Sequence, residues 1–250
     1  MELVLLTAIG VGAATLFGVV IGFLFKNISH RFSDITLAFA AGVMLAAAVL
    51  GLIIPSVEYG GKYGIVITVA GIFAGALALQ LIDRLVPHLH KFVGAESEAK
   101  GGEKLNRVLL FVLAIAIHNL PEGIAAGVGF GSGDTSQALL IAGGIALQNI
   151  PEGMVIIAPM LAAGISPKST FICAALTGAV EIVGTLLGYF AVSISSAILP
   201  FALAFAGGTM LYVVSDEMIP ETHAHGCERG ATWSLLVGFC VMLVTDVLLG

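Results

Sequence analysis

The side chains best suited to chemistry lie in two near-copies of one motif, I-H-N-L-P-E-G at 117–123 and L-Q-N-I-P-E-G at 147–153. Each copy lies inside a long apolar run that predicts a helix, and residues four apart on a helix share one face. The pairs brought together in this way are His118 with Glu122 and Gln148 with Glu152. Imidazole, carboxylate and amide oxygen suit borderline to hard divalent metal ions. The two motifs therefore predict a metal site.

An asparagine precedes each motif glutamate by three residues, Asn119 before Glu122 and Asn149 before Glu152. Each carboxylate thus has ligand-bearing neighbours on both sides of its helix face, as a carboxylate that bridges two metal ions requires. Taken singly, either asparagine is explained equally well by a hydrogen bond between helices.

Glu181 lies in the middle of the next apolar run, so three acids, with Glu122 and Glu152, are predicted near the centre of the bilayer. An ionised acid left unpaired at that depth is strongly unfavourable. No Lys or Arg lies there to pair with the acids, so a cation must come from outside the chain. The alternative is a closed network of neutral acids and amides, for which three acids without a base are poorly suited.

Eight apolar runs must position these residues. The chain has 250 residues, of which 58% are hydrophobic and 10% charged, and its mean hydropathy is +1.08, as expected of an integral membrane protein. A helix of about 20 residues crosses the apolar core of a bilayer. The runs long enough to do so lie at about 3–25, 35–57, 65–86, 107–130, 137–161, 170–194, 197–219 and 231–249. We predict an all-α transmembrane domain over 1–250, with the metal site between helices 4, 5 and 6 at the bilayer midplane.

The segments between these runs predict loops. Polar residues at 26–34 and 220–230 predict loops, and Gly and Asp at 131–134 predict a tight turn. With the N-terminus outside, nine of the ten Lys and Arg residues lie in or beside inner loops, and Lys62 alone lies outside. This asymmetry follows the positive-inside rule and predicts both termini outside. The longest polar inner loop is at about 87–106.

The net charge of the chain is −6, and nothing in the sequence favours a nucleic-acid partner.

Pairs of glycines four residues apart allow helices to approach closely in lipid. The pairs that lie inside the apolar runs are Gly18/Gly22, Gly71/Gly75, Gly123/Gly127 and Gly184/Gly188. We interpret them as packing within one subunit, with a homodimer as the alternative.

In its motifs the chain resembles the ZIP (Zrt/Irt-like protein) family of divalent-metal transporters, whose fourth helix carries H-N-x-P-E-G and whose fifth carries a related motif. Residues 118–123 match the first motif in full, and the eight spans, the outside termini and the inner loop after the third span also fit. Gln148 stands where histidine is frequent in the family, which resembles the bacterial GufA-like branch. Asn149 stands where an acid can occur in that branch, and it lowers the negative charge around the second metal position.

The resemblance implies a binuclear-type metal centre, completed by an acid of the sixth helix and, in some members, a methionine of the second. The implied ligands are Met44, His118, Asn119, Glu122, Gln148, Asn149, Glu152 and Glu181. The implied function is uptake of a divalent metal ion, above all Zn²⁺, across the cell membrane into the cytoplasm by a multi-pass protein. Such a protein is not an enzyme and uses no organic cofactor. Cd²⁺, Fe²⁺ and Mn²⁺ are alternative substrates, because the ligand preferences of these ions overlap.

Potential ligands are also dense at the inner end of the seventh apolar run and in the loop that follows it. Glu217 and His223 predict an inner exit site that receives ions from the centre, and a solvated loop that carries these residues without binding metal is the alternative. For His88 and His90, in the inner loop before the fourth run, we favour the solvated loop.

Two other functions use the same features. An intramembrane metal-dependent hydrolase would hold a catalytic zinc on the same ligands, but no H-E-x-x-H motif is present, and no Ser or Asp pair accompanies the central acids as a nucleophile. A proton- or sodium-coupled carrier of an organic solute would need a base at the midplane to hold an anionic group, and the sequence offers none there.

Overall fold

A computed structural model describes residues 1–24, 29–85, 116–162 and 164–249 of the chain, and the structure of these residues is helical. We number the main helices in chain order. Their bounds are α1 Glu2–Leu24, α2 His30–Ala46 continued by Ala47–Ile53 and Ile54–Tyr59, α3 Gly64–Leu85, α4 with described residues 116–129, α5 Thr135–Val155, α6 Pro167–Ile194, α7 Leu199–Val213 continued by Val214–Met218 and Ile219–Thr222, and α8 Glu228–Leu249.

Within the described ranges, seven helices are long and apolar enough to cross a membrane: α1, α2, α3, α5, α6, α7 and α8. This confirms an all-helical membrane protein. The described part of α4 begins at residue 116 and is therefore shorter than a full span. The predicted total of eight spans and the outside termini stay predictions. The predicted inner loop at 87–106, with His88 and His90, lies outside the described residues.

The prediction of a loop over 26–34 is wrong in its second half, because α2 begins at His30 and not at Ile35. The side chain of Ser29 accepts a hydrogen bond from the backbone N–H of Phe32, at 3.2 Å, and so caps the first turn. This cap extends the helix into polar sequence that hydropathy alone assigns to a loop.

The other boundaries change in similar ways. The loop predicted at 220–230 is shorter, since α7 continues to Thr222 and α8 begins at Glu228. Helix α5 ends at Val155 and is followed by a separate short helix, Ile157–Ala162, where one span was expected to run to 161. The tight turn at 131–134 is confirmed. Gly133 has a φ of +80°, and Asp134 accepts a hydrogen bond from the N–H of Gln137, at 3.1 Å.

The helices pack as two groups. In the first group, α1 packs against α5 and α6, and α4 packs against α6. In the second group, α2 packs against α8, and α3 packs against α7. The two groups meet where α2 packs against α5. The candidate site lies inside the first group.

Glycines bring the helices of each group into backbone contact. A Cβ added at Gly18 would collide with the carbonyl oxygen of Ile150, and one added at Gly127 with that of Thr185. All four glycine pairs noted in the sequence face other helices of the same chain in this way. The interpretation of these pairs as packing within one subunit is therefore confirmed.

The contact between the two groups has a different character. Fully buried alanines occupy much of the middle of α2: Ala40, Ala41, Ala46, Ala47 and Ala48. Gly51 of α2 faces side-chain atoms of Ile141 in α5, and Gly144 of α5 faces the end of the Met242 side chain in α8. At these two glycines, side-chain atoms rather than interlocked backbones form the contact between the groups.

Candidate metal site between α1, α4, α5 and α6

The two motifs meet directly across α4 and α5. The Gln148 amide donates a hydrogen bond from Nε2 to Glu122 Oε1, at 2.7 Å. Both side chains are buried, with exposed fractions of 0% and 1%. The two near-copies therefore meet in one cluster of side chains.

Glu181 of α6 is the second centre of the hydrogen-bond network. Its Oε1 accepts from Asn119 Nδ2 at 2.6 Å, and its Oε2 accepts from Asn149 Nδ2 at 2.8 Å. Thr15 of α1 also donates to Oε1, at 2.9 Å. All four side chains are buried. One carboxylate thus joins α1, α4, α5 and α6.

Glu152 and His118 lie in the same region. The carboxylates of Glu122, Glu152 and Glu181 are close enough for their charges to interact, and Glu152 also interacts with His118. His118 Nε2 lies 2.8 Å from Oε1 of Glu217, in the Val214–Met218 segment of α7. This contact crosses from the first helix group to the second.

Several buried oxygen atoms of the site have no hydrogen-bond donor among the described residues. They are Asn119 Oδ1, Glu122 Oε2, Gln148 Oε1 and Asn149 Oδ1. A buried acceptor without a donor is unfavourable, and such atoms are rare in proteins. Four of them on adjoining side chains form an environment that attracts a cation.

The amides also separate the acids. Within the described ranges, no three His, Cys, Asp or Glu side chains lie together in a geometry that could hold a metal ion by themselves. Amide groups and the Thr15 hydroxyl donate the hydrogen bonds described for Glu122 and Glu181. Any metal held here therefore has amide oxygens among its ligands, or requires these side chains to turn. Metal ligation by the predicted residues stays a prediction.

Two predicted residues, Met44 and His223, remain to be placed. Met44 of α2 is buried in the apolar core, with an exposed fraction of 1%. His223 is held at the inner end of α7, where Nδ1 lies 2.8 Å from the carbonyl oxygen of Ile219 and Nε2 lies 3.2 Å from Thr232 Oγ1. The structure thus brings Glu217, but not His223, to the central residues.

Sequence reasoning missed the contribution of α1. Besides the Thr15 hydroxyl, the backbone carbonyl of Val11 accepts a hydrogen bond from Asn149 Nδ2, at 3.3 Å. The only signal in the sequence is the hydroxyl of Thr15, one of two threonines in an otherwise apolar run, and threonine is common in membrane helices because it bonds to its own backbone. A carbonyl group leaves no signal at all.

The fold and the site together define a class: a helical membrane protein that encloses acids, amides and an imidazole between its helices. A family model described as "ZIP Zinc transporter" matches residues 94–246, more than half of the chain. The chain belongs to this family.

Relatives with curated names agree. The zinc transporter GufA of Myxococcus xanthus is 45% identical over 205 residues, which cover 80% of each chain. The zinc transporter ZupT of Chlorobaculum parvum is 38% identical over 255 residues, covering 95% of this chain and 94% of that protein. The zinc transporter ZIPB of Bordetella bronchiseptica is 36% identical over 250 residues, covering 95% and 78%.

These matches confirm the resemblance to the ZIP family and its bacterial GufA-like branch. The chain is a multi-pass membrane protein, and its bacterial relatives imply the plasma membrane. Because the family consists of transporters, the prediction that the chain is not an enzyme is also confirmed.

Proposed function

We propose that this chain carries Zn²⁺ across the membrane into the cytoplasm, through the site enclosed by α1, α4, α5 and α6. The observation that carries the proposal is the set of four buried oxygens that have no donor among the described residues, beside three acids. No Lys or Arg lies near the motif acids in the sequence. A divalent cation offsets the charge of the acids and satisfies the orphaned oxygens. The printed names of the relatives, all zinc transporters, support Zn²⁺ as the substrate.

We assign the ligands to two adjoining positions that share Glu122 and Glu152. The first position adds His118 and Gln148, and the second adds the Asn119 and Asn149 oxygens with Glu181. The supporting contacts are the bond from Gln148 to Glu122 and the bonds of both asparagines to Glu181. Met44 is retained as an additional ligand from α2, on the strength of the family resemblance. Cd²⁺, Fe²⁺ and Mn²⁺ compete for such mixed oxygen and nitrogen sites.

The mixture of ligands suits passage better than storage. Amide oxygens bind zinc more weakly than thiolates, and structural zinc sites are closed by four Cys or His ligands. An ion held partly by amides and shared carboxylates is able to leave as well as enter. A proton that replaces the metal on Glu122 or Glu152 would help to release it.

The route inward continues through Glu217. Its carboxylate contacts His118 at 2.8 Å and is 23% exposed, so it connects the buried site with the inner end of α7. We propose Glu217 as the first exit ligand. His223 would join it only if its bonds to Ile219 and Thr232 break. The proposed topology has eight spans in one domain, with both termini outside.

Movement of one helix group against the other would expose the site alternately to the two sides. The close backbone contacts lie within each group, and the contact between α2 and α5 carries small side chains. This arrangement supports two bodies that move as units. Slow passage down a gradient, without such movement, is the alternative.

The proposal is tested by Zn²⁺ uptake into proteoliposomes that contain the purified protein. We expect Glu152→Ala and His118→Ala each to reduce uptake by about 10-fold or more, since each removes a proposed ligand. Leu187→Ala is the control, because this α6 side chain is 54% exposed on the outer surface and faces lipid in our topology. Normal uptake in both site variants would refute the proposal. Metal-dependent hydrolysis without Zn²⁺ uptake would instead support the alternative function, an intramembrane metal-dependent hydrolase.

A further inference from the structure

Thr15 has an unusual hydrogen bond for a threonine of this chain. Seven helical threonines donate to a backbone carbonyl three or four residues earlier in their own helix: Thr36, Thr177, Thr185, Thr209, Thr222, Thr232 and Thr245. Thr68 shares a hydrogen bond of 2.7 Å with the Ser56 hydroxyl. Thr15 instead donates to the side chain of Glu181, on another helix, at 2.9 Å. Its exposed fraction is 1%, and that of Glu181 is 0%. The bond therefore serves the carboxylate and not the backbone of α1.

The geometry of the Glu181 carboxylate shows what this bond achieves. An ionised carboxylate offers about four lone-pair sites, two on each oxygen. Asn119 and Thr15 occupy both sites of Oε1, while Asn149 occupies one site of Oε2. One site, on Oε2, is left for a further partner.

We propose that Thr15 is a positioning residue that directs a metal ion to Oε2 of Glu181. Its hydroxyl saturates Oε1 together with Asn119 and fixes the plane of the carboxylate. The two asparagines, anchored to the same carboxylate through Nδ2, keep their Oδ1 atoms free of donors. This inference rests on the proposed function and names a group that controls the second metal position.

A partner of this kind acts through the ligand that it orients. Removing such an outer partner of a metal ligand commonly lowers metal affinity or activity by about 10- to 100-fold. A purely structural threonine would instead lower the stability of the protein and the amount of active protein, without changing its affinity for the ion.

The test compares Thr15→Val, which lacks the hydroxyl, with Thr15→Ser, which keeps it. We expect Thr15→Val to raise the KM for Zn²⁺ uptake into proteoliposomes about 10-fold, with the maximal rate per folded molecule within about twofold. Thr15→Ser should restore the wild-type KM. Thr185→Val is the matched control, because it loses a buried hydroxyl that bonds to Glu181 through the backbone oxygen only.

The outcomes separate this inference from the proposed function. If the wild type takes up Zn²⁺ and Thr15→Val has the wild-type KM, the positioning role is refuted while the transport proposal stands. If the wild type takes up no Zn²⁺, the transport proposal itself fails. An equal rise of KM in Thr15→Ser, or in Thr185→Val, would also refute the role, since packing would then explain the effect. If Thr15→Val fails to fold, Thr15→Cys is used in its place and compared with Thr15→Ser, because a thiol is only a weak hydrogen-bond donor.

Discussion

The two helix groups differ in how their helices touch. Within the first group, Gly127 of α4 lies so close to Thr185 of α6 that their backbones are in contact, and within the second group Gly238 of α8 lies equally close to Phe39 of α2. Between the groups, Gly51 and Gly144 meet only side-chain atoms. A backbone carbonyl cannot move away without distorting its helix, whereas a side-chain tip can rotate.

This difference explains where the polar residues lie. The network around Glu122 and Glu181 is contained in the first group, whose backbones hold its donors and acceptors at fixed distances. The second group contributes Glu217, which reaches the site across the boundary. A site that must keep its geometry while its access changes is well served by one rigid group that holds the ligands and a second group that moves beside it.

The largest expected effect comes from adding a methyl group inside the first group. Gly127→Ala places a Cβ against the carbonyl oxygen of Thr185, so α4 and α6 must separate. We expect a loss of about 3 kcal/mol of stability, or failure to fold, measured as thermal unfolding in detergent. Gly10→Ala in α1 is the control, since a Cβ there meets nothing within 4 Å. Equal stability of the two variants would show that α4 and α6 are not locked together.

An intermediate effect is expected at the contact between the groups near the site. Glu217→Gln keeps the size of the side chain but removes the charge that faces His118 at 2.8 Å. We expect the maximal rate of Zn²⁺ uptake to fall several-fold, because the first exit ligand is lost, while Zn²⁺ binding at the central site is retained. Calorimetry of the purified protein measures the binding. Weakened binding, as in His118→Ala, would assign Glu217 to the central site instead.

Much of this arrangement was predictable from the sequence. The lengths of the apolar runs locate the spans described by the structure, because a bilayer core fixes the length that a helix must have. The repeated motif and the depth of Glu181 predict which side chains gather, since spacing on a helix fixes the face on which a residue lies. The helix start at His30 was not predicted, because the Ser29 cap, and not hydropathy, sets it. Helix α8 likewise begins at Glu228, three residues before the apolar run.

The details of the site depend on contacts between residues that are far apart in the chain. Thr15 and Glu181 are 166 residues apart, and nothing in the local sequence of α1 distinguishes this threonine from one bonded to its own helix. The pairing of His118 with Glu217 is similar, because the sequence assigned Glu217 to an inner exit site and gave no sign that it contacts the central histidine. Which side chains meet across helices is determined by helix rotation, which is set by packing.

The smallest effect is expected at the boundary between the two helix groups. Two neighbouring glycines of α5, Gly143 and Gly144, allow this boundary to be tested. A Cβ at Gly144 would lie 2.9 Å from the sulfur of Met242, while a Cβ at Gly143 meets nothing within 4 Å. Methionine is flexible and is able to move aside, so we expect Gly144→Ala to change stability by less than about 1 kcal/mol. The added methyl should nevertheless hinder movement of α5 past α8. We expect the maximal uptake rate to fall about twofold at unchanged KM, with Gly143→Ala as the control.

Unfolding as severe as that of Gly127→Ala would mean that the groups are locked to each other. An unchanged rate would mean that this boundary does not move during transport, which favours passage through a fixed pathway.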